Sequence, residues 1–223
     1  MRRLLVCLVT VLVLAACAAR PNPAPPSSSS ASPSSGPVNP ANIKRIRPAL
    51  PAGYEIADIS GPLSAAALWG FGSGWTAKPP QCAALADPAP ADPGIRGYSA
   101  SGPGGTIYVV VAVPGQGVPD AGLISECAQW TMAFAHTTGE VSLTPTSAAP
   151  HIDGVDTVAM TVTTRMVVES GTETDGNAVT AQAYVDGHVV FVTLVTDPGS
   201  PHPPLDSRFA GDLLVATVSA LRG

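Results

Sequence analysis

Charge, aromatic rings and long apolar runs are all scarce in this sequence of 223 residues. Only 12% of the residues are charged and 5% are aromatic. No apolar run reaches the roughly 18 residues that a membrane-spanning helix needs. The net charge of −5 excludes a nucleic-acid binder that works by bulk positive charge. Because 45% of the residues are hydrophobic, the low charge also excludes a chain kept disordered by self-repulsion. The composition therefore predicts an Ala/Val-rich globular domain with accessory segments.

The first residues have the pattern of an export signal. A basic Met1–Arg3 precedes an apolar segment from Leu4 to Leu14, and two alanines then lead to Cys17. Such a core suits a signal peptide and is too short to span a bilayer. Small residues followed by Cys resemble the lipobox of bacterial lipoproteins. The resemblance implies that residues 1–16 are removed and that Cys17 carries a diacylglyceryl anchor. An ordinary secretory signal with a chance cysteine is the alternative.

A tether follows the predicted anchor. Residues 18 to about 42 are a Pro/Ser/Ala-rich stretch without hydrophobic periodicity, so they cannot build a core. We take residues 17–49 as the tether and residues 50–223 as the globular domain. The tether ends in a basic arm that contains Lys44, Arg45 and Arg47. This arm either contacts anionic headgroups or wall phosphates, or docks on the acidic domain, and the sequence leaves both open.

Charge divides sharply along the chain. All 16 acidic residues lie in residues 54–223, which contain only five basic ones, so this part has a formal net charge of −11. An acidic domain does not attract nucleic acid or anionic lipid through its overall field. The charge distribution therefore predicts a soluble domain without a nucleic-acid partner.

Four cysteines reduce to one candidate pair. Cys7 leaves with the signal and Cys17 takes the lipid, which leaves Cys82 and Cys127 in an exported, oxidising compartment. We predict that these two form a disulfide. Buried free thiols and a metal site are the alternatives, and the absence of a further Cys or His at ligand spacing argues against zinc.

Hydrophobic periodicity predicts a domain of mixed strands and helices. Alternation and turn signals favour strands over residues 54–59, 95–101, 106–113, 155–169, 178–185 and 188–196. Helices are expected after Pro62, after Pro79, over residues 120–135 and over residues 203–222. In the third helix Leu123, Cys127, Trp130 and Phe134 would share one face; in the last, Leu205, Phe209, Leu213, Ala216 and Ala220 would do so. The predicted fold class is α+β, an antiparallel sheet with helices packed mainly on one face and a single disulfide.

Two short segments resemble a known group of proteins. The segment Trp75–Cys82 and the later Cys127–Trp130 look like the domain pattern of mycobacterial-type surface lipoproteins of unknown function. They are also similar to the extracellular sensor domain of the PknH kinase and, more loosely, to Mog1/PsbP-like lipoproteins. The resemblance implies a small α+β domain over residues 50–222 and supplies no catalytic residues. The PknH-type domain has two disulfides, whereas this chain can form one.

No sequence motif predicts catalysis, a metal or a cofactor. Zinc-protease, serine-hydrolase, P-loop and dinucleotide-binding patterns are all missing. The glycine-rich Gly70–Gly74 lacks the Lys of a phosphate cradle and is interpreted as a loop. Acidic Glu169–Asp175 is interpreted as a solvated hairpin tip, with a calcium loop as the alternative.

The few histidines and tryptophans also have structural explanations. The four histidines sit at predicted turns or element ends without ligand spacing; they are His136, His151, His188 and His202. Trp69, Trp75 and Trp130 are expected to anchor the core rather than to form a ligand platform. A serine-hydrolase triad assembled from distant residues stays an alternative because such a triad leaves no local pattern.

The sequence thus favours a non-catalytic binding or sensory module in the cell envelope. The chain would be exported and held on the outer face of the cell membrane by lipid on Cys17. Its further partner would be an envelope protein, a wall polymer or a lipid. A carrier of lipid or a small hydrophobic ligand is the first alternative function, and an envelope hydrolase with a dispersed site is the second.

Replacing the predicted lipid-bearing residue tests the anchor. We expect Cys17→Ser to abolish incorporation of labelled fatty acid and to release the protein into the medium, because two acyl chains provide the stable attachment. Fractionation with immunodetection measures the release. Retention of the variant in the membrane fraction would show that the basic arm or a partner suffices.

Overall fold

A computed structural model describes residues 36–90, 92–145 and 148–223. The predicted signal peptide, Cys17 and the first half of the tether lie outside these residues. No helix in the described part of the chain is both long and apolar enough to cross a membrane.

The residues that the structure describes include nine strands: β1 Glu55–Ser60, β2 Thr76–Lys78, β3 Arg96–Gly102, β4 Gly105–Ala112, β5 Gln129–Phe134, β6 Thr137–Leu143, β7 Asp156–Val167, β8 Glu173–Val185 and β9 His188–Thr196. They form one antiparallel sheet in the order β1-β3-β4-β9-β8-β7-β6-β5-β2. The α-helices are α1 Ala65–Leu68, α2 Ala83–Ala86, α3 Ala121–Glu126 and α4 Ser207–Arg222; two 3₁₀ helices cover Pro40–Ala49 and Pro80–Cys82. The predicted α+β class and the antiparallel sheet are confirmed.

The central strands are buried on both faces. In β9, Val189 and Phe191 point into one core cluster, whereas Val190 and Val192 point into the other. Strand β9 therefore appears in the sequence as a nearly continuous apolar run instead of an alternating one. Two separate layers of helices are needed to cover it.

One core contains the disulfide, and we call this side of the sheet the disulfide face. Helices α1, α2 and α3 lie here, with the predicted Cys82–Cys127 bond, which the structure confirms. The opposite side, which we call the α4 face, is covered by α4 and the 3₁₀ helix Pro40–Ala49.

The 3₁₀ helix Pro40–Ala49 includes the basic arm. Its Ile43 and Ile46 are buried in the core of the α4 face. Arg47 donates to Asp58 at 2.8 Å, and its guanidinium lies 4.5 Å from the centre of the Tyr98 ring. Lys44 and Arg45 remain exposed. One of the three cations therefore docks on the domain, while the other two point towards solvent.

The hairpin between β8 and β9 is built by a two-residue turn. Asp186 and Gly187 both have positive φ angles, 48° and 74°, as a type I′ turn requires. The Asp-Gly pair tolerates this backbone, so the sequence specified both the position and the register of the hairpin. The predicted 188–196 strand is confirmed.

The helix predicted over residues 120–135 is wrong. Asp120 caps α3, because its side chain accepts a hydrogen bond from the backbone N–H of Leu123. The helix ends at Glu126, however, and the residues after it form β5 and β6. In β5, Trp130 and Met132 are buried while their neighbours are exposed, which is the period of a strand. Pairing with β6 overrides the helical spacing of the apolar residues.

The predicted starts of two other helices, and the predicted buried face of the last one, also need correction. Helix α1 begins at Ala65 with Ser64 as its N-cap, rather than at Pro62. Helix α4 begins at Ser207 under an Asp206 cap. Of its predicted stripe only Leu213 is buried; the other buried positions are Ala210, Gly211, Leu214, Thr217, Val218 and Leu221. Contact with both β8 and the 3₁₀ helix Pro40–Ala49 widens the buried face.

Removing the disulfide tests how much it stabilises this fold. The bond closes a loop of about 46 residues, for which chain entropy predicts about 4 kcal/mol. We expect the double variant Cys82→Ala/Cys127→Ala to lose about that free energy of unfolding, measured by urea denaturation. Equal stability of the variant and the oxidised parent would contradict this expectation.

Candidate functional site

A half-open groove with a volume of about 380 Å³ lies on the α4 face. It runs between α4, strands β7 and β8, and the segment that precedes β7. We call it the α4 groove. Its lining residues are Thr144, Ala148, Pro150, His151, Ala159, Val179, Ala181, Ser207, Arg208, Gly211, Asp212 and Val215.

Small side chains of the sheet lie at the base of this groove. Ala159 of β7 and Ala181 of β8 are direct partners across the strands, and Val179 lies beside them. Both alanines are buried, with 8% and 1% of their surfaces exposed, so they offer little open surface to the groove. The exposed apolar surface of the groove includes Val215 on the α4 wall, which is 39% exposed.

The two walls are held at a fixed separation. A Cβ atom at Gly211 would lie 3.1 Å from Cγ of Pro150, so only glycine permits this approach of α4 to the loop without displacement. Thr157 Oγ1 donates to the carbonyl of Pro150 at 2.6 Å, which ties the loop to β7. The backbone N–H of Thr144 also donates to the carbonyl of Ala159 at 2.7 Å. These contacts attach the loop wall to the floor.

Charged groups of both signs stand on the rim. Arg208 Nε lies 3.9 Å from Asp212 within α4, and His151 Nε2 lies 3.0 Å from Asp153 on the loop. All four side chains are between 78% and 88% exposed. Exposed pairs of this kind typically contribute less than about 1 kcal/mol. These groups can therefore give up their weak pairing with each other in order to contact a ligand.

Polar groups on the disulfide face hold the fold together. Trp69 Nε1 donates to Thr180 Oγ1 at 3.0 Å, and Gln182 Nε2 donates to the carbonyl of Leu85 at 2.7 Å. Tyr184 in turn donates to Gln182 Oε1 at 3.1 Å. Burial raises the pKa of the Tyr184 hydroxyl, which keeps it neutral as a donor. These bonds attach α1 and α2 to the middle of β8.

Two smaller hollows on this face share one carboxylate. Asp87 lines a pocket of about 330 Å³ beside the Gly70–Gly74 loop and another of about 160 Å³ beside Tyr184. It is half-buried, and burial raises the pKa of its carboxyl. A third hollow of about 330 Å³ lies between α3 and the start of β7. The α4 groove has a somewhat larger volume than each of these three hollows.

The residues singled out in the sequence lie apart from one another. Trp69 and Trp130 are buried, which confirms them as core anchors, whereas Trp75 is partly exposed. Gly70–Gly74 is a loop, as predicted. His151 alone among the histidines lines the α4 groove. Within the described residues, no group of three or more His, Cys, Asp or Glu side chains could hold a metal ion.

The chain belongs to the family described as a domain of unknown function, DUF5642, whose model matches residues 39–222. Its fold is similar to the X-ray structure of an uncharacterised protein from Mycobacterium smegmatis, the ortholog of Rv0999. The TM-score is 0.61 at 21% sequence identity, over 83% of this chain and 98% of that one. No curated protein matches the chain. At this identity the likeness establishes the fold alone.

Asp87→Asn tests the half-buried carboxylate. Because the folded-state pKa of Asp87 is raised above its unfolded value, the native state loses stability as the pH rises from the unfolded pKa through the folded pKa, and the loss is complete at higher pH. We expect the variant to be more stable than the parent at pH 7. The difference should vanish below the ordinary Asp pKa of about 3.9, where both are neutral.

Urea denaturation across this pH range measures the effect. Glu169→Gln, at an exposed site, is the matched control and should leave the pH profile unchanged. An Asp87→Asn profile parallel to that of the parent would contradict the assignment.

Proposed function

We propose that this protein is a lipid-anchored, exported binding or sensory module of the bacterial cell envelope that performs no catalysis. Its ligand site would be the α4 groove. The observation that carries the proposal is the groove itself: a half-open cavity of about 380 Å³ with an exposed apolar residue on its wall and exposed charges on its rim. Ligand sites are commonly concave, mostly apolar and provided with a few polar groups.

The arrangement of the chain supports anchoring. The family domain covers residues 39–222, so the export-type segment and the Pro/Ser-rich stretch precede it. Treated as a coil, the roughly 21 residues 18–38 would span about 25 Å root-mean-square. Such a tether would hold the groove clear of the membrane surface and within reach of envelope components.

The polar groups that the structure describes on the groove rim suit a binding role. His151 contacts Asp153, and Ser207 lies in the first turn of α4. Arg208 and Asp212 pair with each other. These groups can orient a bound molecule, but their known contacts do not activate a nucleophile.

Transport of a lipid or small hydrophobic ligand is the second candidate function. Val215 favours it, because its exposed side chain gives the groove wall an apolar surface that a hydrocarbon can cover. The modest volume of about 380 Å³ and the half-open shape point to binding of one small ligand or part of a larger one. Release of the bound molecule to an acceptor membrane would distinguish a carrier from a sensor.

Blocking the groove tests the proposed site. Protein isolated from the envelope of an expressing bacterium should carry a small molecule, seen as added mass in native mass spectrometry. We expect Ala159→Leu to abolish this mass, because the larger side chain would extend from the base into the groove. Val215→Glu, at an exposed position on the wall, should also abolish it without threatening the core.

Ala133→Leu is the matched control, since Ala133 is exposed on β5 outside the groove. Circular dichroism and urea denaturation establish that each variant is folded. A bound mass that survives in both folded groove variants would rule out the α4 groove as its site. Protein that always emerges without a ligand and without a captured partner would contradict the binding role.

A further inference from the structure

The hollow beside the Gly70–Gly74 loop points to a second binding site. We infer that it takes a primary ammonium group, such as that of a lysine side chain or a polyamine. The ammonium would donate to the Asp87 carboxylate, and its alkyl stem would lie against the open part of the Trp75 ring. This site is on the disulfide face, so the inference goes beyond the proposed function and does not depend on the α4 groove.

Among the described residues, the Asp87 carboxylate has no positively charged partner. It borders hollows of about 330 Å³ and about 160 Å³, and none of the residues that line either hollow is basic. No ion pair within the described residues includes Asp87. Burial alone raises the pKa of its carboxyl, without a contribution from a hydrogen bond or a neighbouring charge. A half-buried charge without compensation is costly, and a bound cation would offset part of that cost.

Trp75 gives the larger of the two hollows an aromatic wall. It lines this hollow and is partly exposed, whereas Trp69 and Trp130 are buried. Tryptophan attracts cations through the face of its ring more strongly than the other aromatic side chains do. Pro62 and Leu63 add apolar surface to the same hollow. A ring, a carboxylate and a little apolar surface together suit an organic cation on an alkyl stem.

The local fold holds both groups in place. Trp75 directly precedes β2, which pairs with β5. Asp87 directly follows α2, and its backbone N–H donates to the carbonyl of Ala83 at 3.0 Å. Helix α2 itself begins directly after Cys82, one of the two disulfide cysteines. Both groups therefore stand on attached elements, so little further ordering is required on binding.

An ammonium suits this hollow better than a metal ion or an anion does. Metal ions need several protein ligands, and within the described residues no group of three or more His, Cys, Asp or Glu could hold one. The formal net charge of −11 over residues 54–223 attracts cations and repels anions. A primary ammonium has three N–H donors, so it can donate to Asp87 and keep water on its other side.

Three small probes test the inference. Nα-acetyl-lysine amide carries one ammonium group, its Nε-acetylated form has lost that charge, and cadaverine is a free diamine. Each is titrated into the isotope-labelled, exported full chain carrying Cys17→Ser, and NMR follows the indole N–H signals of the tryptophans. The lysine and cadaverine arms distinguish a peptide lysine from a free polyamine.

We expect both ammonium probes to move the Trp75 signal in a saturable way. The Nε-acetylated form should bind about tenfold more weakly, because it cannot form a charge-assisted bond with the carboxylate. The signals of Trp69 and Trp130 should stay in place, since both residues are buried. They serve as internal controls for non-specific effects of the probes.

Variants separate the carboxylate from the ring. Asp87→Asn, which we expect to fold, should weaken both ammonium probes about tenfold. Trp75→Leu keeps apolar bulk but removes the ring, and it should weaken them about fivefold, with the backbone signal of Gly74 as the reporter. Glu169→Gln is the matched control, because it removes one exposed negative charge outside the hollow. It should leave the affinity unchanged.

The pH dependence of binding gives a further readout. The affinity of the parent should rise as the pH rises through the raised pKa of Asp87, because only the charged carboxylate attracts the ammonium. The affinity of Asp87→Asn should not follow this rise. Asp120 and Tyr184 are the other titratable groups that line the smaller hollow, and burial keeps Tyr184 neutral by raising its pKa.

Equal affinity for Nα-acetyl-lysine amide and its Nε-acetylated form would overturn the inference. Undiminished binding in Asp87→Asn, or a Trp75 signal that neither ammonium probe moves, would do the same. Val215→Glu should leave ammonium binding intact, because Val215 lies on the α4 face. Loss of ammonium binding in that variant would overturn the second site, whereas loss of the envelope-derived mass alone would support two separate sites.

Discussion

Burial of β9 and its neighbours on both faces is the constraint on which the rest of the structure depends. Val190 and Val192 require cover on one side, and Val189 and Phe191 require it on the other. On the disulfide face that cover comes from short helices too small to be stable alone. The bond between Cys82 and Cys127 and the hydrogen bonds from Trp69 and Gln182 hold them in place.

The α4 face of the sheet is covered by a different arrangement of helices, and it carries a groove. Helix α4 is long enough to pack through its own apolar face, and the 3₁₀ helix Pro40–Ala49 packs beside it. The N-terminal part of α4 also lines a groove whose base includes the Ala159–Ala181 pair. Because these two alanines are buried, the open surface of the groove belongs mostly to its walls and rim.

Local sequence patterns predicted much of the fold, because these elements depend on properties of residues that are close together in the sequence. The Asp186-Gly187 turn, the alternation in β7 and the apolar run of β9 each carry their signal within a few residues. The helix predicted to continue to residue 135 failed because Cys127, Trp130 and Phe134 fall at helical spacing, whereas the buried Trp130 and Met132 follow the two-residue period of a strand. Pairing with β6, a long-range contact, decided between them.

The sequence by itself determined the export-type start, the acidic character of the domain and the cysteines available to pair. It also determined the α+β class, because strand and helix periods are local properties. Only the tertiary structure assembled the groove, since Ala159, Ala181, Arg208 and His151 lie on four separate segments and no spacing links them. An alanine in a strand has the same local meaning whether it faces a packed neighbour or an open space. What lies above it depends on where a distant helix crosses the sheet.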